Sequence, residues 1–261
     1  MPASLLACAG AGSGSGSAFL PSSIAGLQFW LQADVGVYQD AARTTPAVAD
    51  GDPVGGWADQ SGNARHVSQA TAGLRPLLKL AEQNGLPSLL FDGSNDVLAL
   101  AALAMADTGF SLFVVGKLVA VGSYPTWVSY GGAGGGWSLR CPAATGKPSL
   151  VATASNQGAG EFGPGTVVGT AAAMVGGGYQ LLDGHVDGSD GWTIFQQGTL
   201  RDTRTVGITL PTPQVLSVGL RGDALLPLSG HEAEILLYNP VLSAGDATLV
   251  RAYLNTRWAL Y

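Results

Sequence analysis

"AEILLYNPVLSAGDATLVRAYLNTRWAL", residues 233–260, changes its hydrophobic period partway along. Ala233–Asn239 is a short aliphatic and aromatic run closed by Asn239 and Pro240, the pattern of a strand that ends in a turn. Beyond it, Ala247, Val250, Leu254 and Trp258 recur at spacings of three and four, which is one apolar stripe of an amphipathic helix. Ser243 suits the helix start because its hydroxyl can accept the N–H of Asp246, whose carboxylate favours the positive end of the helix dipole.

No comparable helical period occurs upstream. The runs "LQFWLQA" (27–33), "FSLFVVGKLV" (110–119), "TWVSY" (126–130), "WSLRC" (137–141) and "WTIFQQ" (192–197) are short, rich in aromatic and β-branched residues, and separated by Gly, Pro, Asn and Asp. That punctuation predicts strands joined by turns and loops. Gly, at 39 of 261 residues, is about twice its usual share, and charged residues make up only 11%, against roughly 25% in ordinary domains. Many apolar strands with one terminal helix predict an all-β, two-sheet antiparallel jelly-roll sandwich over 27–261. The propeller alternative lacks a repeat of roughly 40 residues.

Twelve basic against eighteen acidic residues give a net charge of −6, which disfavours nucleic acid as a partner. No apolar run reaches the roughly 18 residues of a membrane span. Cys8 and Cys141 have no metal-site spacing, and their redox state stays open. The start, "MPASLLACAGAGSGSGS", has no basic residue before Arg43, so no signal peptide is expected. Residues 1–26 are expected to form a flexible or partner-anchored arm.

Several stretches together resemble a known family: "LQFWLQADVGV", "WADQSGNARHVSQ", "LPSLLFDGSNDVLAL", "FSLFVVGKL" and "GHEAEILLYNPVLSAGDATLVRAYLNTRWAL". They are similar to the concanavalin A-like, laminin-G-like jelly rolls of bacterial surface proteins and phage virion proteins. The likeness runs from about residue 27 to 260 and lapses over 141–191. It implies a surface-displayed module on a virion or outside the cell, a capsid decoration or tail appendage joined to virion or scaffold proteins through residues 1–26. It also implies possible contact with glycans, and the alternative of a lectin-like domain of a bacterial surface protein.

Candidate sites are few. In "WADQSGNARH" (57–66), Trp57 is expected beneath a sheet, with Asp59, Ser61 and Asn63 bonding nearby backbone, so the cluster reads as a fold signature ahead of a calcium site. Asp183, Asp187 and Asp190 are the better calcium candidates, three carboxylates close together, although a solvated loop explains them as simply. Trp127, Trp137 and Trp192 are candidate platforms for sugar stacking, with core packing as the rival reading and at most one exposed ring expected in a chain this short of charge. Glu232 and Glu234 fall on one face of a regular strand, roughly 6.5 Å apart, a spacing used by glycosidase carboxylate pairs. No third acid accompanies them, so no enzyme is expected, and a glycoside hydrolase using this pair is the remote alternative. His66, His185 and His231 are expected to be ordinary loop or surface residues.

Overall fold

Side-chain alternation along the strand Gly109–Leu118 sorts the molecule into layers. Phe110, Leu112, Val114 and Leu118 join one buried cluster, whereas Phe113 and Val115 join a second. Successive strand residues point to opposite faces, so this strand is covered on both sides. The larger cluster fills the space between two sheets, and the smaller lies between one sheet and the terminal helix.

The computed structural model describes residues 19–120, 124–132, 135–141, 147–152, 166–168, 174, 177–205, 213–222 and 224–261. In chain order the strands are β1 (Leu27–Gln32), β2 (Val37–Tyr38), β3 (Gly56–Trp57), β4 (Val67–Ser68), β5 (Leu77–Gln83), β6 (Leu86–Asp92), β7 (Leu98–Leu103), β8 (Gly109–Leu118) and β9 (Thr126–Gly132). There follow β10 (Gly135–Arg140), β11 (Ser149–Ala152), β12 (Thr166–Val168), β13 (Gln180–Asp187), β14 (Gly191–Gln196), β15 (Thr199–Thr205), β16 (Gln214–Val218), β17 (Ser229–Tyr238) and helix α1 (Ala244–Trp258). One sheet runs β15-β14-β13-β8-β17-β6-β5, with β1 added beside β17, and the other runs β12-β11-β10-β9-β16-β7-β4-β3-β2. The pairings are antiparallel. The chain is thus a two-sheet antiparallel sandwich with one C-terminal helix, as its sequence pattern predicts.

β17 organises the sheet that carries the helix. Its first half pairs with β6 and its second half with β1, while β8 flanks both. One extra residue marks the changeover: the register slips between Glu232 and Glu234, and the carbonyl of the intervening Ala233 accepts the N–H of Ala33 at 2.9 Å. Such a bulge shifts the in-out alternation by one residue.

β1 would present an open edge, and the decapeptide 57–66 closes it. Trp57 is fully enclosed and donates its indole N–H to the Gln32 carbonyl at 2.8 Å. The Asp59 carboxylate accepts from Trp30 N at 2.9 Å, Ser61 N at 2.9 Å, Ser61 Oγ at 2.8 Å and Arg65 N at 3.0 Å. Asn63 donates to the Leu27 and Gln28 carbonyls at 2.8 and 3.1 Å. Side chains thereby occupy the backbone groups of an edge strand that would otherwise invite another chain. On the β16–β17 connection, Gly219 has φ +84°, and a Cβ there would lie 2.1 Å from the Phe91 ring, so only glycine fits.

α1 begins as expected, with Asp246 N donating to Ser243 Oγ at 3.1 Å and Ala247, Val250, Leu254 and Trp258 buried. Within the expected arm, residues 19–26 are described and pack on the sandwich. Phe19 and Ile24 rest on the smaller cluster, and Tyr238 Oη donates to the Pro21 carbonyl at 3.0 Å. The remainder of the expected arm, residues 1–18 including Cys8, lies outside the described residues. Cys141 is buried, which pushes its thiol above the ordinary range.

Candidate functional site

The structure separates the residues that the sequence suggested as sites. Trp127, Trp137 and Trp192 have no exposed surface and belong to the core between the sheets, so none can stack on a sugar. Phe110 explains part of their burial: its ring stacks on Trp137 at 4.5 Å between centroids and meets the edge of Trp192 at 6.4 Å. A chain this short of charge fills its interior with its largest rings.

Asp183, Asp187 and Asp190 do not form a calcium loop either. Asp183 and Asp187 lie within β13, because Leu182, Gly184 and Val186 face the inner core while Asp183 and His185 face the helix. Gly184 is where the sheets approach closely: a Cβ there would lie 3.0 Å from Leu150. Asp183 accepts from Arg251 at 2.6 and 2.9 Å, and His185 Nε2 lies 2.7 Å from the same oxygen. Asp187 instead accepts from Ser189 N and Gly191 N, both at 2.8 Å, holding the turn that contains Asp190. Among the described residues no group of three or more His, Cys, Asp or Glu is placed to hold a metal.

Glu232 and Glu234 face opposite sides of their sheet. Paired residues share a face, and Glu232 pairs with Leu89 of the inner core and with Gly116, whereas Glu234 pairs with Val115 of the helix layer. Both are fully buried. Glu234 accepts from Trp30 Nε1 at 2.7 Å, Trp258 Nε1 at 2.6 Å and Tyr253 Oη at 3.1 Å, and Arg257 Nε makes an off-axis ion contact at 3.1 Å. Burial pushes its carboxyl up, and these donors oppose the shift. Neither oxygen of Glu232 has a partner, and burial pushes that carboxyl well above the ordinary glutamate range.

Two of the histidines are interior, not surface groups. His185 Nδ1 lies 2.8 Å from Ser111 Oγ, which accepts the N–H of Leu242 at 2.9 Å, and His185 Nε2 lies 2.7 Å from Asp183 and 3.1 Å from the Arg251 guanidinium. Ser111 is fully buried, and its Ser-His-Asp chain ties β8 and β13 to the segment leading into α1. His231 lies 2.9 Å from Ser88 Oγ, which accepts from Tyr179 Oη at 2.7 Å. Burial and the neighbouring Lys117 push His231 down to about 4, leaving it neutral at pH 7.

Among the described residues, a groove of about 690 Å³ opens beside α1, and a second, smaller one of about 370 Å³ lies over Asp34, Tyr38 and Leu80. Leu249, Ala252, Tyr253, Thr256 and Arg257 form the floor of the groove beside α1, a second stripe of the helix at spacings of three, one, three and one. Phe19 and Leu20 form one wall, and Asn84 and Leu86 from the β5–β6 turn form the other. Phe19 meets the Tyr253 ring edge-on at 6.2 Å, and Leu20 and Leu249 are 52% and 49% exposed, large apolar groups left in water. The stripe is legible in the sequence, but the wall depends on residues 19–20 folding back onto the helix. A smaller pocket of about 280 Å³ opens over His185, Phe195 and Arg251, where the guanidinium covers the Phe195 ring at 3.9 Å. Arg251 is committed there to Asp183.

No family model and no curated protein matches the chain. Among solved structures, it is similar to domain 4 of AbnA, a GH43 extracellular arabinanase from Geobacillus stearothermophilus, in complex with arabinotriose (TM-score 0.59, 14% identity, 85% of this chain and 97% of that one). It is also similar to Trypanosoma rangeli sialidase in complex with sialic acid (TM-score 0.54, 14% identity, 91% of this chain). A third is botulinum neurotoxin type C, whose cell entry depends upon interaction with two ganglioside molecules (TM-score 0.60, 12% identity, 88% of this chain). The chain spans 34% of the sialidase and 51% of the neurotoxin chain. At these identities the likeness is one of fold, a β-sandwich found in carbohydrate-binding and glycan-active proteins. It overturns the expectation that the chain is not an enzyme, because an arabinanase and a sialidase are among the proteins that contain this sandwich.

Proposed function

We propose that the chain is a glycan-binding β-sandwich module whose binding face is the groove beside α1. The observation that carries this reading is the groove itself: a largely apolar lining with the rings of Phe19 and Tyr253, interrupted by the uncharged polar groups of Asn84 and Thr256 and by the Arg257 guanidinium. Sugars present an apolar C–H face and a rim of hydroxyls, and pockets of roughly 300–1,000 Å³ with few polar groups suit ligands of this size. The sandwich neighbours named above for arabinotriose, sialic acid and gangliosides support the ligand class.

The finer reading is display at a virion surface or outside the cell, as a capsid decoration or tail appendage with the segment before Phe19 as the link to its scaffold. Its support is the resemblance of the quoted stretches to bacterial surface and phage virion jelly rolls. Detection of the chain in purified particles by mass spectrometry, and its loss on deleting residues 1–18, tests this.

The binding reading is tested by screening the full chain on a glycan array and repeating the screen with Ala252→Arg. Ala252 is exposed on the groove floor, so the variant fills the groove without touching the core. Binding that disappears in the variant at unchanged melting temperature supports the site. Binding that persists, or none in either protein, overturns it.

A further inference from the structure

We infer that the groove selects neutral glycans over carboxylate-bearing ones; the inference rests on the glycan-binding reading. Among the residues that line the groove, Arg257 is the cation, and it is already committed. Its NH2 lies 2.6 Å from each oxygen of Asp34, and its Nε lies 3.1 Å from Glu234 Oε2. Behind one guanidinium stand two carboxyls, and the whole chain carries a charge of −6.

A sialic or uronic acid entering here has two routes. It can displace Asp34 from Arg257, leaving a partly buried carboxylate unpaired, or it can shed its own water beside two acids with no cation to receive it. Both are unfavourable, because a desolvated charge needs a partner with good geometry. A neutral sugar meets neither cost. The Asn84 amide donates to the Arg257 carbonyl at 2.8 Å, and Asn84 and Thr256 are both exposed. Both match hydroxyls, while Leu249, Ala252 and Tyr253 match a C–H face.

Asp34 thus sets selectivity without lying in the groove. Asp34→Asn leaves Arg257 with one acidic neighbour and converts the groove towards acceptance of anions. The test titrates the full chain with an array of neutral oligosaccharides and the same oligosaccharides capped with sialic or uronic acid, then repeats it with Asp34→Asn and Ala252→Arg. The expected result is neutral binding at least tenfold tighter than acid-capped binding, and a gain of roughly tenfold for acid-capped sugars in Asp34→Asn with neutral affinity nearly unchanged. Acid-capped sugars bound as tightly as neutral ones by the natural chain, or no gain in Asp34→Asn, overturn the selectivity while binding that Ala252→Arg abolishes keeps the site. Silence towards both sets overturns the site and the selectivity together.

Discussion

Glu232 and Glu234 are two residues apart on one strand, equally enclosed, and chemically opposite. On the helix side, Glu234 gathers two indoles, a phenol and a guanidinium from β1 and α1. On the inter-sheet side, Glu232 meets no donor, although Trp127 Nε1, also unpartnered, sits 2.9 Å from where a Cβ on the paired Gly116 would stand. Burial alone therefore says nothing about the role of a carboxylate. What separates the two is the bulge at Ala233, which turns one acid towards a layer rich in polar aromatic groups and the other towards a hydrocarbon core.

The contrast is broken most severely by Glu234→Ala. That change strands Trp30 and Trp258 indole N–H groups and the Tyr253 hydroxyl in a closed layer and leaves Arg257 with Asp34 alone. Removing one member of such a buried set costs on the order of 3–5 kcal/mol. Urea unfolding should show that loss in midpoint, and a cost below about 1 kcal/mol would contradict the role assigned to Glu234 as the clasp between strand and helix.

Glu232→Leu should act in the opposite direction. An unpartnered carboxyl in an apolar core costs roughly 1–3 kcal/mol, and leucine fills similar space without that penalty. The sign with pH follows from the upward shift caused by burial. Stability from the protonated form is fully present below 4.5, the ordinary glutamate value, and is lost as pH rises towards the raised folded value. The advantage of Glu232→Leu should therefore widen from acidic to neutral pH, and an advantage that shrinks over that range would mean the carboxyl has a donor after all.

Asp96 is an intermediate case. It is nearly buried and accepts one bond, from Asp92 N at 2.9 Å. Burial, reinforced by the Asp92 charge, lifts it from 3.8 to about 6. Its contribution is present below 3.8 and disappears as pH climbs through about 6, an effect of roughly 1–2 kcal/mol once solvent screening is allowed for. Asp96→Asn keeps an acceptor for Asp92 N and should flatten the melting temperature between pH 4 and 7 relative to the natural chain. A parallel pair of curves would remove Asp96 from the series.

Local pattern carried the legible part of this molecule. The aromatic run at 110–119, the stripe from Ala247 to Trp258 and the self-bonded loop around Asp59 all record contacts set by period or by neighbours a few residues away. The misread residues depend on distant partners. Glu232 and Glu234 were placed on one face because the bulge arises only where β1 and β6 exchange places beside β17. Asp183 and Asp187 read as a solvated loop because nothing local reveals that Leu150 packs over Gly184 between them. Trp127, Trp137 and Trp192 looked usable for binding because enclosure is decided by the opposite sheet. The groove stripe was visible as spacing, but nothing local shows that Phe19 and Leu20 wall it.

The smallest expected effect tests how far the helix layer depends on its clasp. Ser243 caps α1, its hydroxyl accepting Asp246 N at 3.1 Å and lying 2.8 Å from the Asp246 carboxylate. Loss of such a cap costs about 1 kcal/mol. If Glu234 is the dominant tie between α1 and the sheet, Ser243→Ala should lower stability by that amount alone and leave the groove intact, since Leu249 to Arg257 stay anchored through Tyr253, Arg257 and Trp258. Hydrogen exchange resolves the point: faster exchange confined to the first turn fits a frayed end on a held helix. Faster exchange spreading to Leu254 and Trp258 would mean that the cap, and not Glu234, keeps the layer closed.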